Sequence, residues 1–364
     1  MRNRQQWITV KVRSKRLSES RTDRRQGKKR RGRWLKRLLL ILLIILLIIV
    51  GYGIYVYIKA SNAIKESQVD LGTKSALRDE AVTIGKDPIS ILIMGVENYS
   101  TGGKDGRADT QIVITMNPDT DEMTMVTVPR DTRVNIDNAG EYTGMHKINS
   151  AYTYGSITGY GPEKLQVETV EKLLNIPIDT FVAVDFDGFR DIVDALGGVD
   201  IDIKEGFWEK NIFNNDKRIY FKAGPAHLNG EEALAFVRMR KRAVNVSYSR
   251  DERQRQFLKA SVNQAVSAGT IFKVGQITDI LGDHVKTNLN AKEIYAIERQ
   301  YSSIKNSSMK TIEIKGQDEM VNGLSYFIPD GTSLEETSQK LRKTLGLAPT
   351  ADFTTNADTV GAPQ

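Results

Sequence analysis

The chain has 364 residues and no cysteine, which excludes disulfides, thiolate-bound metals and a cysteine nucleophile. Histidine is nearly as scarce. His146, His227 and His284 are the three, and none has a carboxylate or second histidine at the short spacing of a zinc motif. No Gly-x-Ser-x-Gly elbow occurs, so covalent serine chemistry has no obvious seat. The glycine-rich stretch around Gly102, Gly103 and Gly106 does not end in Gly-Lys-Ser or Gly-Lys-Thr, and it opens a strand instead of a helix, which excludes a Walker loop. Direct displacement assisted by a hard metal ion fits the remaining inventory.

Charge is unevenly placed. Residues 1–37 hold 16 lysines and arginines against Glu19 and Asp23, a balance of +14 in a chain whose total is +7, so the remainder carries −7. The basic character belongs to the tail alone. Leu38 to Ile58 follow, 21 residues without a charge, long enough as a helix to cross roughly 30 Å of hydrocarbon. We read this run as an uncleaved anchor: it lacks the polar face of a core helix and exceeds an ordinary signal-peptide h-region. A basic block abutting a span places the N-terminus in the cytoplasm and everything after it outside the cell. The tail has Trp7 and Trp34 but no helix-turn-helix or zinc pattern, so it is expected beside anionic lipid headgroups and not on nucleic acid.

Residues 59–86 are polar and helix-permissive, a stalk by composition. The compact domain is expected over 87–345. Ile89 to Gly95 is a buried strand by length and apolar density. Thr110 to Asn117 is a second, turned by Pro118 to Asp121 into a third at Met123 to Val128. Arg133 to Ile136 follows. Apolar residues at helical spacing from Leu165 to Leu174 predict a helix after Gly161 and Pro162. Thr180 to Phe186 reads as a strand, and Gly188 to Leu196, 230–238 and 249–267 read as helices. Strands alternating with helices indicate an α/β or α+β sandwich around one central, mixed sheet. The Pro, Thr, Ala and Asn of 346–364 predict a disordered tail.

Chemistry is expected at the strand ends, where loops carry it. Glu97 and Asp109 flank the glycine-rich loop, and two carboxylates suit Mg²⁺ whose shell substrate phosphates complete. Arg107 precedes Asp109, and Arg130 with Asp131 follows Pro129 at the end of the third strand. Arg238 and Arg240 share a face only if the chain is extended there. Arg250, Arg253 and Gln254 fall at i, i+3 and i+4, which groups them on one helix face and turns Arg255 elsewhere. Arginines crowded together repel unless an anion neutralises them, and guanidinium forks suit phosphate oxygens. The set predicts a polyphosphate site.

These residues resemble the LytR-CpsA-Psr family, membrane-anchored ligases that attach anionic glycopolymers to peptidoglycan. The likeness rests on Ile91 to Glu97, Arg107-Ala108-Asp109-Thr110, Val128 to Thr132, Lys147-Ile148-Asn149 to Tyr152, Phe186 to Val199, Leu228-Asn229-Gly230, Ala233 to Arg240 and Arg250 to Gln256. It implies that Asp109 and Glu97 take the places of magnesium-associated acids. It gives Arg107, Arg130, Arg238, Arg240, Arg250 and Gln254 the places of pyrophosphate-binding and catalytic residues. It also implies an apolar tunnel for a polyprenyl chain, for which Ile91, Ile93, Val113, Phe181 and Val184 are candidates. Two departures stand out. Glu97 replaces the family's usual aspartate, and Lys241 to Ser249 lack the usual acid and glycine.

The expected function is transfer of an anionic glycan, of teichoic acid or capsular type, from a polyprenyl diphosphate to a peptidoglycan hydroxyl in a Gram-positive envelope. Asp109 or Asp131 would act as base. A hydrolase using the same site, a non-catalytic sensor of lipid-linked precursors, and a membrane-attached regulator of gene expression are the alternatives.

Overall fold

A computed structural model describes residues 69, 71, 74–98, 105–239, 249–267, 284–301, 309–350 and 352–361. All lie in the compact unit that begins at Ala60. The expected tail and anchor, residues 1–58, fall outside them, and among the described residues no helix is long and apolar enough to cross a membrane.

A six-stranded sheet organises the unit. Strands β1 (Ile89–Glu97), β2 (Arg107–Asn117) and β3 (Glu122–Thr127) form an antiparallel run. Two parallel pairings extend it: β6 (Thr180–Val184) beside β1, and β12 (Met309–Glu313) beside β3. β11 (Val285–Thr287) closes one edge antiparallel to β6, giving the order β11-β6-β1-β2-β3-β12. The sheet is mixed, as expected. β1 is apolar on both sides because both faces of the sheet are covered. On one, Leu92, Met94, Val113, Val126 and Phe181 pack with Leu165, Val170 and Leu173 of α2 (Pro162–Leu174) and Leu334 and Leu341 of α7 (Gly331–Thr344). On the other, Ile89, Ile91, Ile112, Ile114, Met116 and Met125 meet Leu258 of α5 (Arg250–Ser267) and Ile297 of α6 (Ala291–Tyr301). Truncating a fully buried member such as Leu92 to alanine costs about 2–5 kcal/mol.

Between β3 and α2 lie the hairpin of β4 (Arg133–Ile136) with β5 (Gly144–Lys147) and the short helix α1 (Ser150–Ile157). Gly155 is obligatory there: a Cβ would stand 2.5 Å from the Gly161 carbonyl and 2.8 Å from Pro162 Cα, so α1 and α2 could not close up. A second apolar cluster joins α3 (Phe186–Leu196), β7 (Val199–Ile203), β8 (Phe207–Asn211), β9 (Lys217–Phe221), β10 (Gly224–Leu228), α4 (Gly230–Arg238) and α5. α4 starts at a full capping box, Asn229 and Glu232 each bonding the other's backbone. The remaining hairpin is β13 (Gly316–Val321) with β14 (Leu324–Pro329).

Parts of two segments expected apart from the domain are attached to it. Within the described C-terminal residues 352–361, Asn135 N–H donates to the Asn356 carbonyl at 2.7 Å, Asp358 N–H to the Arg133 carbonyl, and Val360 pairs with Asp330. Polar composition misled because these residues satisfy their backbone against the domain. The described part of the stalk likewise docks. Arg78 binds the Asp179 carboxylate with two nitrogens, at 3.0 and 2.7 Å, and both side chains are buried.

Candidate active site

The site begins with an irregularity in β2. Gly95 pairs with Thr110 and Val96 with Ala108, so Asp109 is the extra residue of a β-bulge. A bulge re-aims a side chain that regular pleating would place elsewhere. Here it accompanies a carboxylate held from two sides. Asn149 Nδ2 donates to Asp109 Oδ1 at 2.9 Å, and the Arg130 guanidinium pairs with Oδ2.

Arg130 follows Pro129 where β3 ends. Its Nε lies 3.5 Å from Asp131 Oδ2, and Lys147 Nζ donates to Asp131 Oδ1 at 2.8 Å. One guanidinium therefore bridges two carboxylates. The backbone fixes this loop: Ile148 N–H donates to the Thr132 carbonyl at 2.9 Å, Asn149 N–H to the Arg130 carbonyl, and Phe327 N–H to the Asp131 carbonyl at 2.9 Å. Tyr152, on the first turn of α1, donates to Glu163 at 2.9 Å. Burial, then the charge of Glu163, pushes its phenol far above the ordinary range, so Tyr152 stays a neutral donor and is no base.

Helix α5 brings the third contribution. Arg250 Nη2 donates to the Asp109 carbonyl at 3.3 Å, and Gln254 Nε2 to Thr110 Oγ1 at 2.9 Å. Asp109, Arg130, Asp131, Arg250 and Gln254 thus converge from three segments of the sequence. Arg253 does not belong with them. It is 1% exposed and spends its guanidinium on the carbonyls of Phe236, at 3.1 Å, and Met239. Spacing alone could not separate it from Gln254, its neighbour on the helix. Arg238 stands 5.0 Å over the Phe186 ring. Met239 after it is extended (ψ 127°), as the Arg238/Arg240 spacing requires, but Arg240 lies outside the described residues. Arg107 is exposed and paired in register with Glu97. Sequence reasoning gave no role to Asn149 or Lys147, although the signal was present in the Lys147-Ile148-Asn149 stretch. Two of the three histidines have carboxylates distant in sequence, His284 with Asp185 at 2.9 Å and His227 with Asp200 at 2.7 Å, and His146 meets the Tyr154 hydroxyl at 3.2 Å.

Arg130, Lys147 and Arg250 outweigh Asp109 and Asp131, and a phosphate group would complete the balance. Among the described residues no group of three or more metal-binding side chains exists. Asp109 and Asp131 are hard oxygen donors, and Mg²⁺ takes one or two carboxylates and fills its shell from phosphates and water. Both Asp109 oxygens accept a hydrogen bond and each retains a lone pair for a cation.

The tunnel candidates divide. Ile91 and Ile93 belong to the sheet face under α5 and α6, and Val184, in alternation with Val182, falls on that side. Val113 and Phe181 are fully buried in the opposite cluster under α2 and α7. The five cannot line one tunnel. A separate cleft of ≈1190 Å³, lined by residues including Leu71, Glu171, Asp179 and Asn356, lies by the N-terminal end of β6, away from Asp109.

A cationic, carboxylate-bearing site where β1 ends and β2 begins defines an α/β domain built to handle a phosphorylated ligand. The chain belongs to the LytR_cpsA_psr family, whose pattern matches residues 54–343. It is 42% identical over 320 residues to the polyisoprenyl-teichoic acid–peptidoglycan teichoic acid transferase TagV of Bacillus subtilis, covering 86% of this chain and 80% of that one. The transferase TagU of Oceanobacillus iheyensis is 36% identical, with 88% and 97% covered. The crystal structure of B. subtilis TagV matches with TM-score 0.62 over 72% of this chain and 99% of that one. A LytR-CPS2A-psr family protein, TagT, with bound octaprenyl pyrophosphate lipid matches at 27% identity, TM-score 0.60, covering 77% and 99%.

Proposed function

We propose that the protein transfers a teichoic-acid-type glycopolymer from a polyprenyl diphosphate carrier to a sugar hydroxyl of peptidoglycan. The observation that carries this reading is the convergence on Asp109 of Arg130, Asn149 and Arg250. The names of the related transferases and the lipid bound to TagT support it.

In the reaction the acceptor oxygen attacks the phosphorus nearest the glycan. Its bond to the bridging oxygen breaks, and polyprenyl phosphate leaves with the electron pair. Arg130 and Arg250, already oriented, lie where negative charge grows on the leaving group, and fixed donors in a partly dry site lower the barrier most. The hydroxyl proton passes to a carboxylate that the metal does not occupy, Asp131 or a metal-free Asp109. Asp109 is the less exposed of the two, at 18% against 34%. Mg²⁺, held by Asp109 with Glu97 as second acid, would supply further charge neutralisation on the diphosphate. Arg107, Arg238, Arg240 and Gln254 would bind the diphosphate beside them. The face carrying Ile91, Ile93 and Val184 would take the lipid. Residues 38–58 would anchor the chain in the membrane holding its donor, with the N-terminus cytoplasmic and the domain outside.

The test incubates the full chain in neutral detergent with a polyprenyl-diphosphate-linked glycopolymer, Mg²⁺ and peptidoglycan oligomers, and follows products by mass. A covalent polymer–peptidoglycan adduct is expected. Release of free glycan phosphate with no adduct would assign the site to hydrolysis.

A further inference from the structure

The ribbon of β8 and β9 buries one face and turns the other outward. Phe207, Glu209, Asn211 and Phe221 point in, while Lys210, Arg218 and Tyr220 are exposed and Trp208 is half-buried beside them. Register places Trp208 opposite Tyr220 and Lys210 opposite Arg218. The outer face is therefore an aromatic pair next to a cationic pair. Arg218 stands 4.1 Å over the Trp208 ring, and Tyr220 is 67% exposed. Stacking holds a guanidinium flat and leaves its N–H edge available.

Charge makes this face unusual. Beyond the basic tail the chain is net acidic, −7 after residue 37, and would repel a polyanion. On the ribbon, Lys210 meets Asp216 at 2.6 Å. Among the described residues no carboxylate lies within ion-pair distance of Lys217, Arg218 or Lys222. The surface is also held rigidly to the site. Phe207 packs on Phe236 of α4 at 5.8 Å, and Arg253 of α5, flanked by the site residues Arg250 and Gln254, lies 5.4 Å over Phe207.

We propose that the outer face of β8–β9 docks the phosphate-bearing repeats of the donor polymer, beyond the diphosphate where bond exchange occurs. Phosphates meet Arg218 and Lys222, which share the Tyr220 side of the strand, and the apolar faces of sugar or polyol units lie against Tyr220 and the Trp208 edge. This deepens the transferase reading and rests on it for the identity of the polymer. Charge complementarity chooses the occupant, since a neutral glycan would leave the cations unanswered.

The experiment uses the full chain in neutral detergent and titrates it with lipid-free poly(glycerol phosphate) oligomers, an uncharged oligosaccharide, and phosphatidylglycerol vesicles. Variants are R218A/Y220A and, as the control at the other site, R250A. Expected is a loss of about tenfold in affinity for the phosphate oligomer in R218A/Y220A, none in R250A, and no binding of the uncharged sugar. In transfer assays R218A/Y220A should raise KM about tenfold for a long donor and leave kcat and KM for a one-repeat donor unchanged. Oligomer binding that ignores R218A/Y220A overturns the proposal, as does a variant that loses only vesicle binding, which would give the face to the bilayer. Hairpin-dependent oligomer binding without any transfer would refute the transferase reading and leave this surface standing. Normal transfer by R218A/Y220A, with KM unchanged for both the long and the one-repeat donor, would refute the surface alone.

Discussion

Arg250 and Arg253 sit one turn apart on α5, and their replacement by alanine should have opposite consequences. Arg253 is buried and bonds two backbone carbonyls, those of Phe236 and Met239, which end α4. Each hydrogen bond from a charged donor contributes about 1.5–3 kcal/mol, and the loss leaves both carbonyls buried without that donor. Removing the stem also uncovers the Phe207 ring. R253A should therefore cost about 4 kcal/mol, which in a domain of this size lowers Tm by roughly 8–16 °C. Arg250 reaches the Asp109 carbonyl through a long bond, 3.3 Å. The Tm of R250A should move by less than about 4 °C while transfer falls by about 10²–10³. Thermal melting by near-ultraviolet circular dichroism and the mass-detected transfer assay separate the two. If R253A melted like the wild type and lost transfer as R250A does, the buried guanidinium would be serving substrate and the partition of the helix would be wrong.

Asn149→Ala should lower kcat by about 10–100-fold with little change in Tm, because it frees one oxygen of Asp109 whose position Arg130 alone then fixes; unchanged kcat would remove Asn149 from the site. Arg78→Ala should destabilise by about 3 kcal/mol, since Asp179 remains buried with only Ser90 to bind it; an unaltered urea midpoint would show that the strap does not depend on this pair. Burial pulls the His284 imidazole down, but the hydrogen bond and charge of Asp185, helped by Asp187 and Asp191, raise it above 6.5 overall. The protonated form is the favoured one, so its stabilisation is full below about 6.5 and fades as pH rises through the folded value. Proton NMR titration should show that raised value, and Asp185→Asn should bring it down; a wild-type value below 6.5 refutes the pairing.

The sheet was readable because its strands are long apolar runs bounded by turn residues, as in Ile89 to Gly95 and Pro118 to Asp121. The helices at Leu165 to Leu174 and 249–267 followed from periodicity. What escaped was whatever depends on contacts between distant segments. Nothing local distinguishes Arg253 from Gln254, and only the carbonyls of Phe236 and Met239 make the first structural. Composition made residues 346–364 look disordered, yet the backbones of Asn356 and Asp358 find partners on β4. Residue type could not assign Val113 and Ile91 to different faces, because a sheet covered on both sides has no polar alternation to read.

In the proposed reading, the path of α5 lets one domain hold both ends of an amphiphilic donor. Arg250, Gln254 and Leu258 recur at i, i+4 and i+8, a single stripe along the helix. The first two bond to Asp109 and Thr110 at the bulge, while Leu258 packs on the apolar sheet face of Ile91 and Ile93. The neighbouring stripe, Arg253 and Phe257, locks into the second apolar cluster against Phe236 and Phe189. Rotation of the helix by one residue would misplace both stripes together, so the packing of Arg253 and Phe257 sets the angle at which Arg250 meets the site. A diphosphate at the bulge and an isoprenoid on the sheet would then be read by one rigid element, with the polar group fixed at one end and the greasy tail running along the other.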